Sequence, residues 1–186
     1  MHGLTFKKLN SDDELKLDFY VDTDFAGLWN HEDDQDPVCV KSRTGYCMMF
    51  CGSPVHWVSK LQPCIALSTV ESEYIVLSQA MRDLLPMREF IHDLSSWIDI
   101  GINPKTLLKS TVFEDNNGCI SVATASKLLP RSNHIGVRYH FFNDQIEEEK
   151  GIIIQKKDTD EQIADIFTKE LGDEKFQYLR SLLCGW

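Results

Sequence analysis

The sequence lacks the long apolar segments that insert into membranes. No run of 18 uninterrupted apolar residues and no charged segment followed by an apolar leader is present, whereas a membrane-spanning helix needs about 20 apolar residues. We therefore expect an intracellular protein without a membrane partner. Internal repeats and low-complexity segments are also absent, and 186 residues suit a single domain with a substantial core.

The cysteines lack the C-x-x-C spacing of a zinc site. They are scattered among apolar neighbours, and a chain of this length does not need disulfides to fold. We therefore expect reduced core residues at all six positions. These positions are Cys39, Cys47, Cys51, Cys64, Cys119 and Cys184.

Basic residues are scarce, with 19 Lys and Arg against 29 Asp and Glu and a net charge of −10. This balance argues against a nucleic-acid partner. However, four of the acids lie in the "HEDDQD" segment at residues 31–36, and four others are candidate ligands for divalent cations. With the first four set aside and two divalent cations bound, the balance is only −2. The acidity of the chain therefore argues only weakly against a nucleic-acid partner.

Alternation of apolar and polar residues predicts a strand over residues 17–22. Two further strands are predicted over residues 43–52 and 53–60, joined by a turn at Gly52, Ser53 and Pro54. Together they make an antiparallel meander of three strands. We interpret residues 1–16 as a tail or lead-in and residues 17–186 as the domain itself.

After residue 68 the apolar residues follow the spacing of one helix face, as Val70, Tyr74 and Leu77 show. Ser68 and Glu71 form a capping box that predicts the start of this long helix. Pro86 predicts a kink or an interruption.

The remaining elements alternate between strands and helices. We expect a strand over 107–115, a short helix to about residue 125, a basic loop over 127–133, a helix over 134–150, a strand over 151–157, and helices over 160–171 and 173–183. This order predicts an α/β domain with a mixed sheet and flanking helices.

Four carboxylates stand at the ends of strands or in helices of this scheme: Asp22, Glu73, Asp115 and Asp165. Taken singly, the three aspartates have ordinary explanations as turn formers, a helix cap or a solvated helix residue. Glu73 is more informative, because it flanks an apolar stripe where an unpaired carboxylate would be unfavourable. Four converging carboxylates could hold two divalent cations about 3.5–4 Å apart, although spacing alone does not establish convergence.

Five ordered motifs carry a family resemblance. They are "DTDFAG", "STVESEY", "EDNNGC", "NHIGVRYH" and "QIADIFTKEL". They resemble D-A-D-W-A-G, S-T-T-E-A-E-Y, C-D-N-Q-S-A, K-H-I-D-I-R-Y-H and Q-L-A-D-I-L-T-K-P-L of the ribonuclease H domain of copia-type LTR retrotransposon Gag-Pol polyproteins. The resemblance covers residues 17–183. Gly136, Glu170 and Leu61 depart from the family pattern, and none of them is a proposed metal ligand.

The resemblance implies a fold and a reaction. The fold is a ribonuclease H-like mixed five-stranded sheet, in which a three-strand antiparallel meander joins two parallel strands with flanking helices. The reaction is two-metal hydrolysis of the RNA strand of an RNA–DNA hybrid, with two Mg²⁺ ions for which Mn²⁺ can substitute. The family's catalytic and metal-binding carboxylates fall on Asp22, Glu73, Asp115 and Asp165, with Asp24 as a supporting neighbour.

Further expectations concern the substrate and the cellular setting. Hybrid recognition requires backbone contacts, for which the candidates are Arg43, Lys60, Ser68, Asn116, Asn117 and Arg138. His134 and His140 are candidates for proton transfer, with a structural role as the alternative. We expect a reverse transcriptase domain of the same polyprotein as partner, and a location in a cytoplasmic retrotransposon particle or in the nucleus. The alternative function is an inactive, domesticated or decayed fragment that serves as a binding or scaffold module.

Overall fold

The structure is a computed structural model of the chain. It describes residues 3, 4, 6, 15–28, 36, 38–98, 108–125, 141–146 and 150–186. The predicted boundary at residue 17 stays a prediction, since most of residues 1–16 lie outside the described part. None of the six cysteines forms a disulfide, as expected. The predicted core position is confirmed for Cys39, Cys47 and Cys119 and is wrong for Cys51, Cys64 and Cys184, which are half-buried.

The first three strands form the predicted meander. Strand β1 spans Leu17–Asp24 and pairs antiparallel with β2, Arg43–Phe50, which pairs antiparallel with β3, Ser53–Leu61. The turn between β2 and β3 lies at Cys51 and Gly52, both with positive φ. The predicted turn at residues 52–54 was therefore placed too late, because Ser53 and Pro54 already pair with β2.

Two parallel strands complete the sheet. Strand β4, Ser110–Glu114, pairs parallel with β1, and β5, Ile152–Lys156, pairs parallel with β4. The order across the five strands is β3-β2-β1-β4-β5. This mixed sheet confirms the predicted fold class.

Helix α1 spans Thr69–Trp97 and packs its apolar stripe on the sheet. The Ser68 hydroxyl oxygen accepts the amide hydrogen of Glu71, which confirms the predicted helix start. The Glu71 carboxylate accepts the amide hydrogen of Leu67 at 2.8 Å. Pro86 lies within the helix, so the predicted interruption does not occur, while the alternative of a kink stays a prediction.

Two of the predicted helices are wrong in the part that the structure describes. Residues 160–171 form two short 3-10 helices, Thr159–Glu161 and Ile163–Phe167, instead of one α-helix. Gln162 has extended backbone between them, with φ −76° and ψ 99°. Its side chain binds strand carbonyls, and this tertiary contact overrides the local helical pattern.

The predicted helix over 134–150 is described only at residues 141–146 and 150. Here a turn leads into a 3-10 helix, Asn143–Gln145. Phe142 is fully buried, and Asn143 accepts a hydrogen bond from the Tyr74 hydroxyl at 2.8 Å. These contacts with α1 hold the segment against the core in a non-α conformation.

Two further helices are seen. Helix α2 spans Asn117–Ala123 and is capped by Asn116, and helix α3 spans Asp173–Cys184. In the described part of the chain, no helix combines the length and apolarity required to cross a membrane.

Candidate metal centre

The carboxyl ends of β1 and β4 lie side by side and are joined by a buried amide. Their register pairs end at Tyr20 and Phe113. The Gln162 side-chain amide donates to the Val21 carbonyl at 2.9 Å and to the Phe113 carbonyl at 3.2 Å. It thereby satisfies two backbone acceptors at the sheet edge where ligand sites of α/β folds form.

Three of the predicted carboxylates converge at this edge. Asp22 comes from β1, Glu73 from α1, and Asp115 from the residue after β4. One oxygen of each lies within 4.8 Å of the others. Residues separated by as many as 93 positions in sequence are thus gathered into one cluster.

The environment of the cluster opposes negative charge in the absence of a cation. Burial raises the pKa of Asp22 to about 6, and the charge of Asp165 adds to the rise while Lys169 opposes it. Burial, followed by the charge of Glu114, raises the pKa of Glu73 well above its ordinary value. A buried group with these properties favours either a proton or a bound cation.

The residues fit a divalent cation. Glu73 Oε2 is buried and has no hydrogen-bond partner. An acceptor oxygen in that position is unfavourable unless a cation or proton binds it. Hard oxygen ligands of this kind suit Mg²⁺ and Mn²⁺.

Asp165 lies beside the cluster but outside the group of three converging ligand atoms. It is fully buried in the 3-10 helix Ile163–Phe167. Lys169 Nζ bridges it to the cluster, at 2.8 Å from Asp165 Oδ1 and 2.9 Å from Asp22 Oδ1. Lys175 Nζ binds the other oxygen, Asp165 Oδ2, at 2.8 Å. The structure therefore places Asp165 near the predicted site with lysines as its present partners.

A glycine allows this segment to reach the sheet. Gly45 pairs with Asp22 across β1 and β2. A Cβ atom built on Gly45 would lie 2.4 Å from Thr168 Cγ2 and 3.0 Å from Phe167 Cβ. The Thr168 hydroxyl donates to Asp22, so close approach at Gly45 positions a hydrogen bond to a candidate ligand.

Glu114, the residue before Asp115, is a buried acid that was not among the predicted site residues. It is fully buried, with Oε1 accepting the Asn116 amide at 3.0 Å and Oε2 without a partner. Burial raises its pKa to about 8, against the hydrogen bond from Asn116. The burial of the Glu114 side chain could have been predicted from the alternation in β4, because Glu114 lies on the same face of the strand as the buried Val112.

Comparisons with known proteins bear on the family and the fold of this chain. The chain is 32% identical over 164 residues to the retrovirus-related Pol polyprotein from transposon TNT 1-94 of Nicotiana tabacum, a match covering 88% of this chain and 11% of that protein. It is 28% identical over 180 residues to the Pol polyprotein from transposon RE1 of Arabidopsis thaliana, covering 97% of this chain and 11% of that protein. The chain is related to copia-type retrotransposon Pol polyproteins.

This relationship confirms the resemblance predicted from the five motifs. The chain spans about a tenth of the length of these Pol relatives. A solved structure, LC11-RNase H1 isolated from compost by a metagenomic approach, matches with a TM-score of 0.54 over 81% of this chain and 90% of that one, at 13% identity. The Pol-related chain therefore has a ribonuclease H-like fold. No protein-family model matches it.

The predicted substrate-binding residues of this ribonuclease H-like domain lie in different settings. Arg43 lines a cavity of about 620 Å³, which Asp24, Thr168 and Lys169 also line. Lys60 is exposed on β3 and pairs with Thr44, the residue after Arg43 on β2. Substrate contact at both residues stays a prediction.

Three other candidates lie at helix starts. Ser68 and Asn116 cap α1 and α2, with side-chain oxygens that accept backbone amides of Glu71 and Cys119. Asn117 is the exposed first residue of α2. The caps explain two of these residues structurally, and their contact with substrate is untested. The remaining candidates, Arg138, His134 and His140, lie outside the described residues.

Proposed function

We propose that this domain is a divalent-cation-dependent endoribonuclease that hydrolyses the RNA strand of an RNA–DNA hybrid during retrotransposon reverse transcription. The convergence of Asp22, Glu73 and Asp115 carries the proposal. The ribonuclease H-like fold and the Pol relatives support the choice of reaction. Asp165 is the fourth proposed catalytic carboxylate.

The proposed chemistry is two-metal phosphodiester hydrolysis. When bound, two Mg²⁺ ions, or Mn²⁺ in their place, would activate the attacking water and stabilise the leaving 3′-oxygen. The role of Asp22, Glu73 and Asp115 is to hold cations at the edge of the sheet, beside Asp165. The bond between phosphorus and the 3′-oxygen breaks while water oxygen bonds to phosphorus, which leaves a 5′-phosphate and a 3′-hydroxyl. His134 and His140 stay the candidates for protonating the leaving group.

The cavity beside Asp22 is the proposed path of the substrate backbone. Arg43 and Lys169 supply positive charge there, and Ser59 lies at its wall with its hydroxyl donating to the Phe167 carbonyl at 2.6 Å. Contacts of this kind recognise phosphates and 2′-hydroxyls rather than base edges. With a net charge of −10, the domain is expected to bind hybrids weakly and with strong dependence on salt.

We propose that a reverse transcriptase domain of the same polyprotein supplies additional affinity. A tethered partner raises the effective concentration of substrate at the cavity. The proposed location is a retrotransposon particle in the cytoplasm, or the nucleus.

The proposal is tested with a hybrid whose RNA strand is labelled. Wild-type protein should release labelled 5′-phosphate products with Mg²⁺ or Mn²⁺ and none with EDTA. Asp115→Asn should reduce the rate at least about 100-fold, in line with loss of a group that acts on the transition state. Asp93→Asn is the matched control, because Asp93 lies on the exposed face of α1 with 81% of its side chain accessible.

An inactive scaffold is the alternative function. It predicts no cleavage by either the wild-type protein or Asp115→Asn with Mg²⁺ or Mn²⁺, while hybrid binding persists. Cleavage that Asp115→Asn leaves unchanged would instead indicate a contaminating nuclease.

A further inference from the structure

The side chain of Lys169 lies beside the candidate metal centre. Its ammonium group lies between two buried carboxylates, 2.9 Å from Asp22 Oδ1 and 2.8 Å from Asp165 Oδ1. The exposed fractions of these two acidic side chains are 1% and 0%, so water cannot replace the contact easily. The ammonium group thus bridges one acid of the converging cluster and the acid next to it.

The charges of the site define how many cations it can hold. The four proposed ligands carry −4 when ionised, and the ammonium groups of Lys169 and Lys175 that bind them carry +2. The remaining −2 is neutralised by one divalent cation. The neighbouring carboxyl group of Glu114 adds at most one more negative charge, so a second divalent cation would still leave an excess of positive charge. Such an excess is unfavourable in a buried site until phosphates arrive.

The geometry leads to the same count. The three oxygens of Asp22, Glu73 and Asp115 that converge include none from Asp165, so a cation held by them need not enter the space between Asp22 and Asp165 where the Lys169 ammonium group lies. A cation shared by Asp22 and Asp165 would compete for the oxygens that Lys169 now binds, at Mg–O distances of about 2.1 Å. An ammonium group and a divalent cation held between the same two oxygens would repel each other strongly.

We propose that Lys169 is a built-in cation that takes the role of the second divalent ion in the substrate-free protein. Before nucleic acid binds, the site therefore holds one divalent cation, and Lys169 must leave Asp22 and Asp165 before another can enter. The cavity beside Asp22 is lined by Lys169, so a substrate phosphate there offers the released ammonium group a new partner. Lys169 is thus a positioning residue, and this inference rests on the proposed function.

Metal stoichiometry tests the proposal without an activity measurement. Bound Mn²⁺ is counted by electron paramagnetic resonance in protein free of nucleic acid. The wild-type protein should bind one Mn²⁺ per chain, and Lys169→Met should bind two, with the second at least about tenfold tighter than in the wild type because one neighbouring positive charge is gone. Lys169→Arg keeps the charge and should again bind one.

Lys157→Met is the matched control. Lys157 also pairs with a carboxylate, that of Glu161, which is not one of the proposed ligands. This variant should bind one Mn²⁺, like the wild type. A measurement on the wild-type protein alone guards against misfolding of the Lys169 variants: addition of a hybrid with uncleavable 2′-O-methyl RNA should raise the count from one to two.

The outcomes separate this inference from the proposed function. Two Mn²⁺ in the nucleic-acid-free wild type, or a single Mn²⁺ in folded Lys169→Met, would overturn the role of Lys169 while leaving a metal-dependent nuclease intact. The same applies if the uncleavable hybrid leaves the wild-type count at one. No bound Mn²⁺ in any protein would overturn the metal site and the proposed function together.

Discussion

Glu114→Gln is expected to stabilise the metal-free protein at high pH. Glu114 is fully buried beside the carboxylate cluster, and its Oε2 atom has no partner. In the folded protein its pKa is about 8, compared with an ordinary value of 4.5. An acid whose pKa rises on folding destabilises the folded state wherever the unfolded chain would ionise it. The substitution removes this charge and keeps an oxygen for the Asn116 amide.

The magnitude follows from the pKa. At about 1.4 kcal/mol per pKa unit, the rise from 4.5 to about 8 corresponds to about 5 kcal/mol of lost stability above pH 8. The amide introduces a buried donor without a partner, which costs about 1–3 kcal/mol. We therefore expect a net gain of about 2–4 kcal/mol at about pH 9 and no gain at about pH 4, where the glutamate is protonated in both states.

Urea unfolding at the two pH values, in EDTA, measures this difference. Glu89→Gln serves as the control, because Glu89 is exposed on α1 and its substitution should change stability little at either pH. If Glu114→Gln is destabilising at the higher pH, or shifts stability equally at both, the buried charge is not what limits the metal-free protein.

Three further predictions concern the same region. Gly45→Ala should destabilise the fold by about 1–3 kcal/mol through contact with Thr168, as measured by urea unfolding. Gln162→Leu removes the amide that donates to the Val21 and Phe113 carbonyls and should cost about 3 kcal/mol in the same assay. Because burial raises the pKa of Asp22 to about 6, the metal-free protein should lose stability as the pH rises from about 4 through 6, and Mg²⁺ should raise the melting temperature more at about pH 8 than at about pH 5. Unfolding curves that do not change with these substitutions or with pH would contradict the corresponding contacts.

Much of the fold was predictable from local pattern. Alternation in β1 and the period of α1 depend on residues close in sequence, and both elements were found where expected. The segment over residues 160–171 was not predictable in this way. Its backbone is determined by Gln162, whose partners lie in β1 and β4, far away in sequence.

The candidate site also combines residues that local sequence indicated with contacts that only the folded chain makes. Positions at strand ends indicated Asp22 and Asp115, and a carboxylate beside an apolar helix stripe indicated Glu73. Asp165 was assigned from the family motifs. The lysine partner was visible as a residue four positions after Asp165, a spacing that favours ion pairs, but its bridge to Asp22 depends on folding. Gly45 gave no sequence signal, since its role appears only when Thr168 lies against it.

Anomalous diffraction from crystals soaked in Mn²⁺ tests the central claim most directly. If folding gathers these acids into a cation site, an Mn²⁺ peak should lie between the carboxylates of Asp22, Glu73 and Asp115, at about 2.0–2.4 Å from an oxygen of each. A peak elsewhere on the molecule, or none at saturating Mn²⁺, would contradict the account.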